Sequence, residues 1–237
     1  TVRRSLDPTD FRLALAAARR AIALDSSYAP AWHALAVSLT DSGDLTRGLE
    51  AWHRATAVDP SYGEALAFLS LGYYWRRNYD SAAFWADSAV AADPSYILGR
   101  TTAGQVAIER GERARARAAF DAAQRISSGI EIVNSMLGAA LAEARGGNRG
   151  EAEQLLLAAD SLMVEFQPPA AHTAVYLAHL LGALGRTDEA IAAVAGYQPR
   201  GDLHFQMHLR CDPPFAPIAS DPRFRALLVT PRTEAGC

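Results

Sequence analysis

Lysine is missing altogether: all 23 basic residues are arginine, set against 26 acidic residues for a net charge of −3. A general grip on nucleic acid depends on clustered positive charge, so that function class is excluded. The absence of lysine, beside abundant Ala, Gly and Arg, reads as GC-rich bacterial coding bias rather than as a recognition surface. Long hydrophobic runs are also missing. Arg, Asp or Glu interrupts every apolar stretch before the ~20 residues that a membrane-spanning helix needs, so the fragment does not insert into a membrane. Cysteine is scarce: Cys211 and Cys237 can form at most one bridge, and the pair says little about redox compartment. A cytoplasmic location is favoured over a periplasmic one.

Catalytic signatures are missing too. There is no Gly-x-Ser-x-Gly elbow and no His-Glu-x-x-His pair. The run Gly146-Gly147-Asn148-Arg149-Gly150 lacks the Lys-Ser or Lys-Thr of a phosphate loop and lies between predicted helices, so it reads as a turn. The chain is expected to be no enzyme and to need no cofactor. One metal-ligand spacing stands out, His204-x3-His208-x2-Cys211, which puts two imidazoles one turn apart on a predicted helix. That spacing can hold zinc, but a fourth ligand is needed and packing is the better reading. His172 and His179, seven residues apart, share a helix face without marking a site. Arg110, Arg113, Arg115 and Arg117 interleave with Glu109 and Glu112 as a solvated helix face.

What is present is a period. Asp25-Ser26-Ser27-Tyr28 returns as Asp59-Pro60-Ser61-Tyr62 and as Asp93-Pro94-Ser95-Tyr96, each copy 34 residues after the last. The first full unit carries Trp32, Leu35-Ala36, Leu39, Gly48, Trp52, Ala55 and Pro60, and the second Leu66, Leu69, Tyr73, Ala82, Ala86, Ala89 and Pro94. A third runs through Gly104, Gly111, Ala116, Phe120 and Ala123. This pattern resembles the tetratricopeptide repeat, a 34-residue helix-turn-helix unit. The resemblance implies an all-α fold, a right-handed superhelical solenoid of helical hairpins with a C-terminal capping segment. Small residues let paired helices approach closely, and Pro60 and Pro94 disfavour helix at the residue before them.

The expected organisation is a solenoid over residues 1–202, with a half-repeat at 1–28 and units starting near 29, 63, 97, 131 and 171, followed by capping helices and a tail over 203–237. The register slips in the fourth unit, whose turn is two residues longer than the period allows. Asp221 and Pro222 predict the start of a short final helix. The leading half-repeat suggests a piece cut from a longer protein. The ending, with Asp212-Pro213-Pro214-Phe215 and Asp221-Pro222-Arg223-Phe224, resembles the C-terminal repeat region of bacterial multidomain signalling proteins that carry a kinase, adenylate-cyclase or winged-helix domain.

In the tetratricopeptide family the first helix of each unit lines the concave face. The resemblance therefore assigns His33, Val37, Leu71, Tyr74, Trp75, Thr101, Gln105 and Ile108 to a candidate peptide-binding groove, apolar and aromatic at its centre. Such a face suits a protein or peptide with hydrophobic anchors. The Lys and Asn clamp with which some members hold a terminal carboxylate is missing, since Ala67, Leu71 and Thr101 occupy its places. The function expected is a non-catalytic protein–protein interaction scaffold, with a structural assembly factor of an envelope or secretion complex as the alternative. Uncapped repeat ends would also allow a homo-oligomer.

Overall fold

The computed structural model describes residues 8–165, 170–197, 202–228 and 237, with side chains from residue 12 onward. Among these residues the regular structure is entirely helical. In chain order the helices are α1 (Pro8–Leu24), α2 (Ala29–Asp41), α3 (Leu45–Val58), α4 (Gly63–Trp75), α5 (Tyr79–Ala92), α6 (Ile97–Glu109), α7 (Arg113–Ile126), α8 (Ile130–Arg145), α9 (Arg149–Met163), α10 (Ala171–Ala183), α11 (Thr187–Gly196), α12 (Leu203–Cys211) and α13 (Pro222–Arg225). A 3-10 turn at Pro213–Phe215 lies between the last two. Residues 1–7, 166–169, 198–201 and 229–236, which include the start of the expected half-repeat and most of the expected tail, lie outside the described residues.

The Asp-x-Ser-Tyr motif is a joint between units. In all three copies the Asp Oδ1 accepts from both the backbone N–H and the hydroxyl of the serine two residues on: Ser27 at 2.8 and 2.6 Å, Ser61 at 2.9 and 2.7 Å, and Ser95 at 2.9 and 2.6 Å. These bonds stabilise the ionised carboxylates and hold Asp25, Asp59 and Asp93 below the usual carboxylate range. The tyrosine N–H closes the turn on the aspartate carbonyl at 3.2–3.3 Å. The next helix then starts at Ala29, Gly63 and Ile97. Local side-chain bonding of this kind is why Asp and Ser favour turns over helix interiors.

The hairpin turns within units follow a second series. Gly43, Arg77 and Gly111 adopt left-handed backbone with φ of 97°, 59° and 73°, again spaced by 34 residues. Gly147 takes the place in the fourth hairpin with φ of 84°, two residues late, which is the register slip read from the sequence. Arg77 is the sole non-glycine in this conformation among the described residues. After the turn, Asp44 and Asn78 cap α3 and α5 by accepting from Arg47 N at 3.0 Å and Ser81 N at 3.1 Å.

The chain divides into two compact units. The first holds the described residues up to Gly99 together with α12 and Asp212. Its hairpins pair α2 with α3 and α4 with α5, and α1 lies on α2. Ala55 and Ala89 are fully buried where helices meet, and a side chain added at Gly99 would stand 3.2 Å from the Ala89 methyl. Across the α4–α5 hairpin, the Ser70 hydroxyl donates to the Ala82 carbonyl at 2.8 Å.

The second unit holds residues 100–197 as described and residues 213–227. Here α8 packs with α7, α9 and α10, and α10 pairs with α11. Its centre is Phe120, whose ring is so close to two glycines that a Cβ would lie 2.6 Å from it at Gly104 and 2.2 Å at Gly138. Residues 213–227 cover the end of this unit. Phe215 meets the His179 ring at 4.4 Å between centroids, Phe224 packs tilted against Phe215 at 5.1 Å, and Ile218 closes over Gly182. As the sequence suggested, Asp221 caps α13 by accepting from Arg223 N at 2.8 Å, with Pro222 in the first turn.

Candidate functional site

The first helices α2 and α4 present one aromatic and polar face in the first unit. His33 sits at its centre, where Nδ1 accepts from the Trp52 indole N–H at 3.2 Å, and its ring meets the Phe68 and Tyr62 rings edge-on at 5.0 and 5.8 Å. Nδ1 acting as acceptor leaves the proton on Nε2, which lies 3.6 Å from Glu64. Trp52 stacks on Phe68 at 5.4 Å, tying the second helix of one unit to the first helix of the next. Val37 is half-buried on the same helix. Leu71 and Tyr74 are buried, Tyr74 with its ring 6.3 Å from Tyr79 within the hairpin. Thr101, Gln105 and Ile108 are buried on α6 in the second unit.

Trp75 is fully buried, and its indole N–H donates to Asp212 Oδ1 at 2.7 Å. That bond spans 137 residues and brings the end of α12 onto α4. Five further contacts hold α12 there. His204 Nδ1 bonds Asp41 Oδ1, at the end of α2, at 3.1 Å. The His204 ring lies 6.4 Å from Phe68 and 6.2 Å from Trp75, and the His208 ring meets Trp75 edge-on at 5.4 Å. The Arg77 guanidinium donates to the Cys211 carbonyl, placing a cation at the negative end of the α12 dipole. A terminal helix of the same chain therefore lies on the face that the family resemblance assigned to a ligand.

Within α12, Asp212 has a second partner: its Oδ2 accepts from His208 Nδ1 at 2.9 Å. Both side chains are buried. Burial alone would push the His208 imidazole down, but the Asp212 carboxylate beside it, helped by Asp202 and Asp41, holds it above the ordinary histidine value. Asp202 caps the helix by accepting from Phe205 N at 3.0 Å.

The His-x3-His-x2-Cys spacing resolves differently from a four-ligand zinc set. The His204 and His208 rings are 5.0 Å apart, and each Nδ1 is bonded to a carboxylate. The Cys211 sulfur is joined to Cys237, which removes the thiolate as a ligand. His179 is buried under Phe215, whereas His172 is exposed.

The arginine cluster of α7 is committed to ion pairs. Arg113 and Arg117 reach the buried Glu143 at 2.9 and 3.5 Å, Arg117 also reaches Asp121 at 2.9 Å and Glu151 at 3.4 Å, and Arg110 and Arg115 flank Glu112. Burial alone would raise the Glu143 carboxyl, but Arg113, Asn148 and Arg117 together hold it low. A residue series spent on intramolecular carboxylates is a structural brace rather than a phosphate-binding surface.

Sequence reasoning assigned Trp75 and His33 to the candidate face but read Asp212 only as part of the Asp-Pro-Pro-Phe ending and passed over Phe68 and Arg77. Arg77 carried a readable signal: it stands where Gly43 and Gly111 stand in the neighbouring units.

No family model matches the chain, and no curated protein sequence matches it. Solved structures do. TTC0263, described as a thermophilic TPR protein of Thermus thermophilus, matches with a TM-score of 0.58 at 23% identity, covering 84% of this chain and 95% of that one. MamA matches with a TM-score of 0.58 at 20% identity, over 66% of this chain and 91% of MamA. YrrB, described as a TPR protein with an unusual peptide-binding site, matches with a TM-score of 0.54 at 19% identity, over 70% of this chain and 82% of YrrB. With its 34-residue period, its helical hairpins and these neighbours, the chain has the tetratricopeptide-repeat fold.

Proposed function

We propose that the chain is a non-catalytic protein-interaction scaffold that takes a peptide or helix on the concave face of its first helices. It would serve as the repeat region of a bacterial signalling or regulatory protein. The observation that carries the reading is α12: the face of α2 and α4 already holds a helix through Trp75, Asp41 and Phe68, with Arg77 of the turn after α4. Helix-in-groove recognition uses the same elements, aromatic anchors flanked by a few placed polar groups. The peptide-binding site in the description of YrrB supports the reading by analogy of fold.

The alternative, an assembly factor that docks large partners on its outer surface, draws on the exposed Phe84 and Leu157 of the second helices α5 and α9. Site-specific photo-crosslinking separates the two. A photoreactive phenylalanine analogue at Val37 is expected to capture the partner, and the same analogue at Phe84 is expected not to. Capture from Phe84 alone would replace the groove reading with the outer-surface one.

A further inference from the structure

We infer that α12 is a displaceable latch on the α2–α4 face, and that the partner able to replace it is a helix carrying a hydrogen-bond donor and, eight residues later, a carboxylate. The inference rests on the groove reading above and specifies its ligand. The face offers two polar anchors of opposite kind: Asp41 accepts, and the Trp75 indole donates. His204 and Asp212 meet them, eight residues apart along the segment, a rise of ~12 Å for a helix. A replacement helix must repeat that order and distance, because an unpartnered indole N–H or carboxylate under a docked helix would cost more than its contacts return.

Two observations make α12 a latch rather than another solenoid helix. The first is Arg77. Its place in the hairpin turn is held by glycine in both neighbouring units, and an L side chain there is strained. The side chain that glycine would lack is the one that clasps the Cys211 carbonyl at the end of α12. Strain in the solenoid is thus exchanged for a hold on the segment. The second is the buried His208–Asp212 pair. Burying two charged or polar partners costs desolvation that their attraction barely recovers, so this pair orients α12 on the face while adding little to the strength of its docking.

The test uses the full chain and a fluorescein-labelled synthetic peptide of residues 202–213 as probe. Arg77→Gly gives the turn the residue its neighbours use, so the hairpin keeps or gains stability while the clasp is lost. The probe is expected to bind Arg77→Gly about tenfold more tightly than the parent chain, the size of one charge-assisted hydrogen bond. A probe with Asp212→Ala should lose that gain, as should Trp75→Phe placed in the Arg77→Gly background. Hydrogen exchange supplies the second readout: α12 amides should exchange faster in Arg77→Gly while α4 amides do not change. Equal probe affinity in the parent and Arg77→Gly, or α12 exchange that occurs only with global unfolding in both, overturns the latch. Should the partner crosslinked at Val37 bind both chains equally, the latch fails and the groove reading stands. If neither the probe nor any partner reaches that face in Arg77→Gly, both fail.

Discussion

Replacing Phe120 with alanine will destabilise the second unit by about 3–5 kcal/mol, the range for truncating a buried aromatic that its surroundings cannot refill. The surroundings cannot refill it because they are already built without side chains. The ring lies on Gly104 and Gly138, neither of which has a Cβ to move into the space, and its edge meets Tyr176 with centroids 6.3 Å apart. Collapse would require α6 and α8 to approach as backbones, and α8 is held by α7, α9 and α10. Denaturant titration should show a lower midpoint with an unchanged slope, the mark of lost stability rather than a changed unfolded state. The reciprocal change is as severe. A Cβ at Gly138 would sit within 2.2–2.6 Å of three ring atoms, and the ring cannot retreat because Gly104 backs its opposite edge, where a Cβ would sit within 2.6–2.8 Å. Gly138→Ala should therefore overpack by about 1–3 kcal/mol, and Gly138→Ala with Phe120→Leu should cost less than the sum of the two single changes.

The second large effect is expected at Asp212. Its two carboxylate oxygens serve two buried donors, the Trp75 indole and the His208 imidazole. Asp212→Ala leaves both without an acceptor, and breaking a buried pair in this way costs about 3–5 kcal/mol when nothing can move. Here α12 can lift off, so the loss is capped by its docking energy and appears as local opening rather than global unfolding. Hydrogen exchange should show α12 losing protection while α3 and α5 keep theirs. Asp212→Asn, which can still accept one bond, should fall between. The same pair sets a pH dependence whose sign is fixed by the raised His208 value. Asp41 and Asp202 act on the ring in the same direction as Asp212. A folded-state value above the unfolded one favours docking fully below about pH 6.5, and the contribution is lost as pH rises through the raised value. Protection of α12 that was flat or rising over that interval would contradict the assignment.

The repeat fold was legible because its determinants are local and periodic. Aspartate and serine two residues apart form the joint between units, a left-handed residue follows 34 positions after the last, and alanine marks where helices touch. Each is a short-range choice that repeats, so a single period exposes it. The slip at Gly147 was visible for the same reason. The family resemblance supplied the candidate face, and with it Trp75 and His33. What occupies that face was not legible. Asp212 meets Trp75 across 137 residues, and no spacing rule links a C-terminal aspartate to an indole that far away. Asp212 and His208 could be read only against their sequence neighbours, where the nearest pattern was a metal spacing. In the structure both meet Trp75 of α4.

The joint between units has a meaning beyond this chain's own stability. Each Asp-x-Ser-Tyr turn closes on itself: the carboxylate is satisfied by the serine next along, and the tyrosine N–H by the aspartate carbonyl. The backbone course of the connection is thus specified within four residues, whatever the helices on either side add to it. A gene encoding such a joint can be cut and rejoined between equivalent aspartates, and every new boundary will have the geometry of the old one. The first three joints keep that interchangeability, so this is the stretch in which whole units can be gained or lost by unequal recombination with the turn between them unchanged.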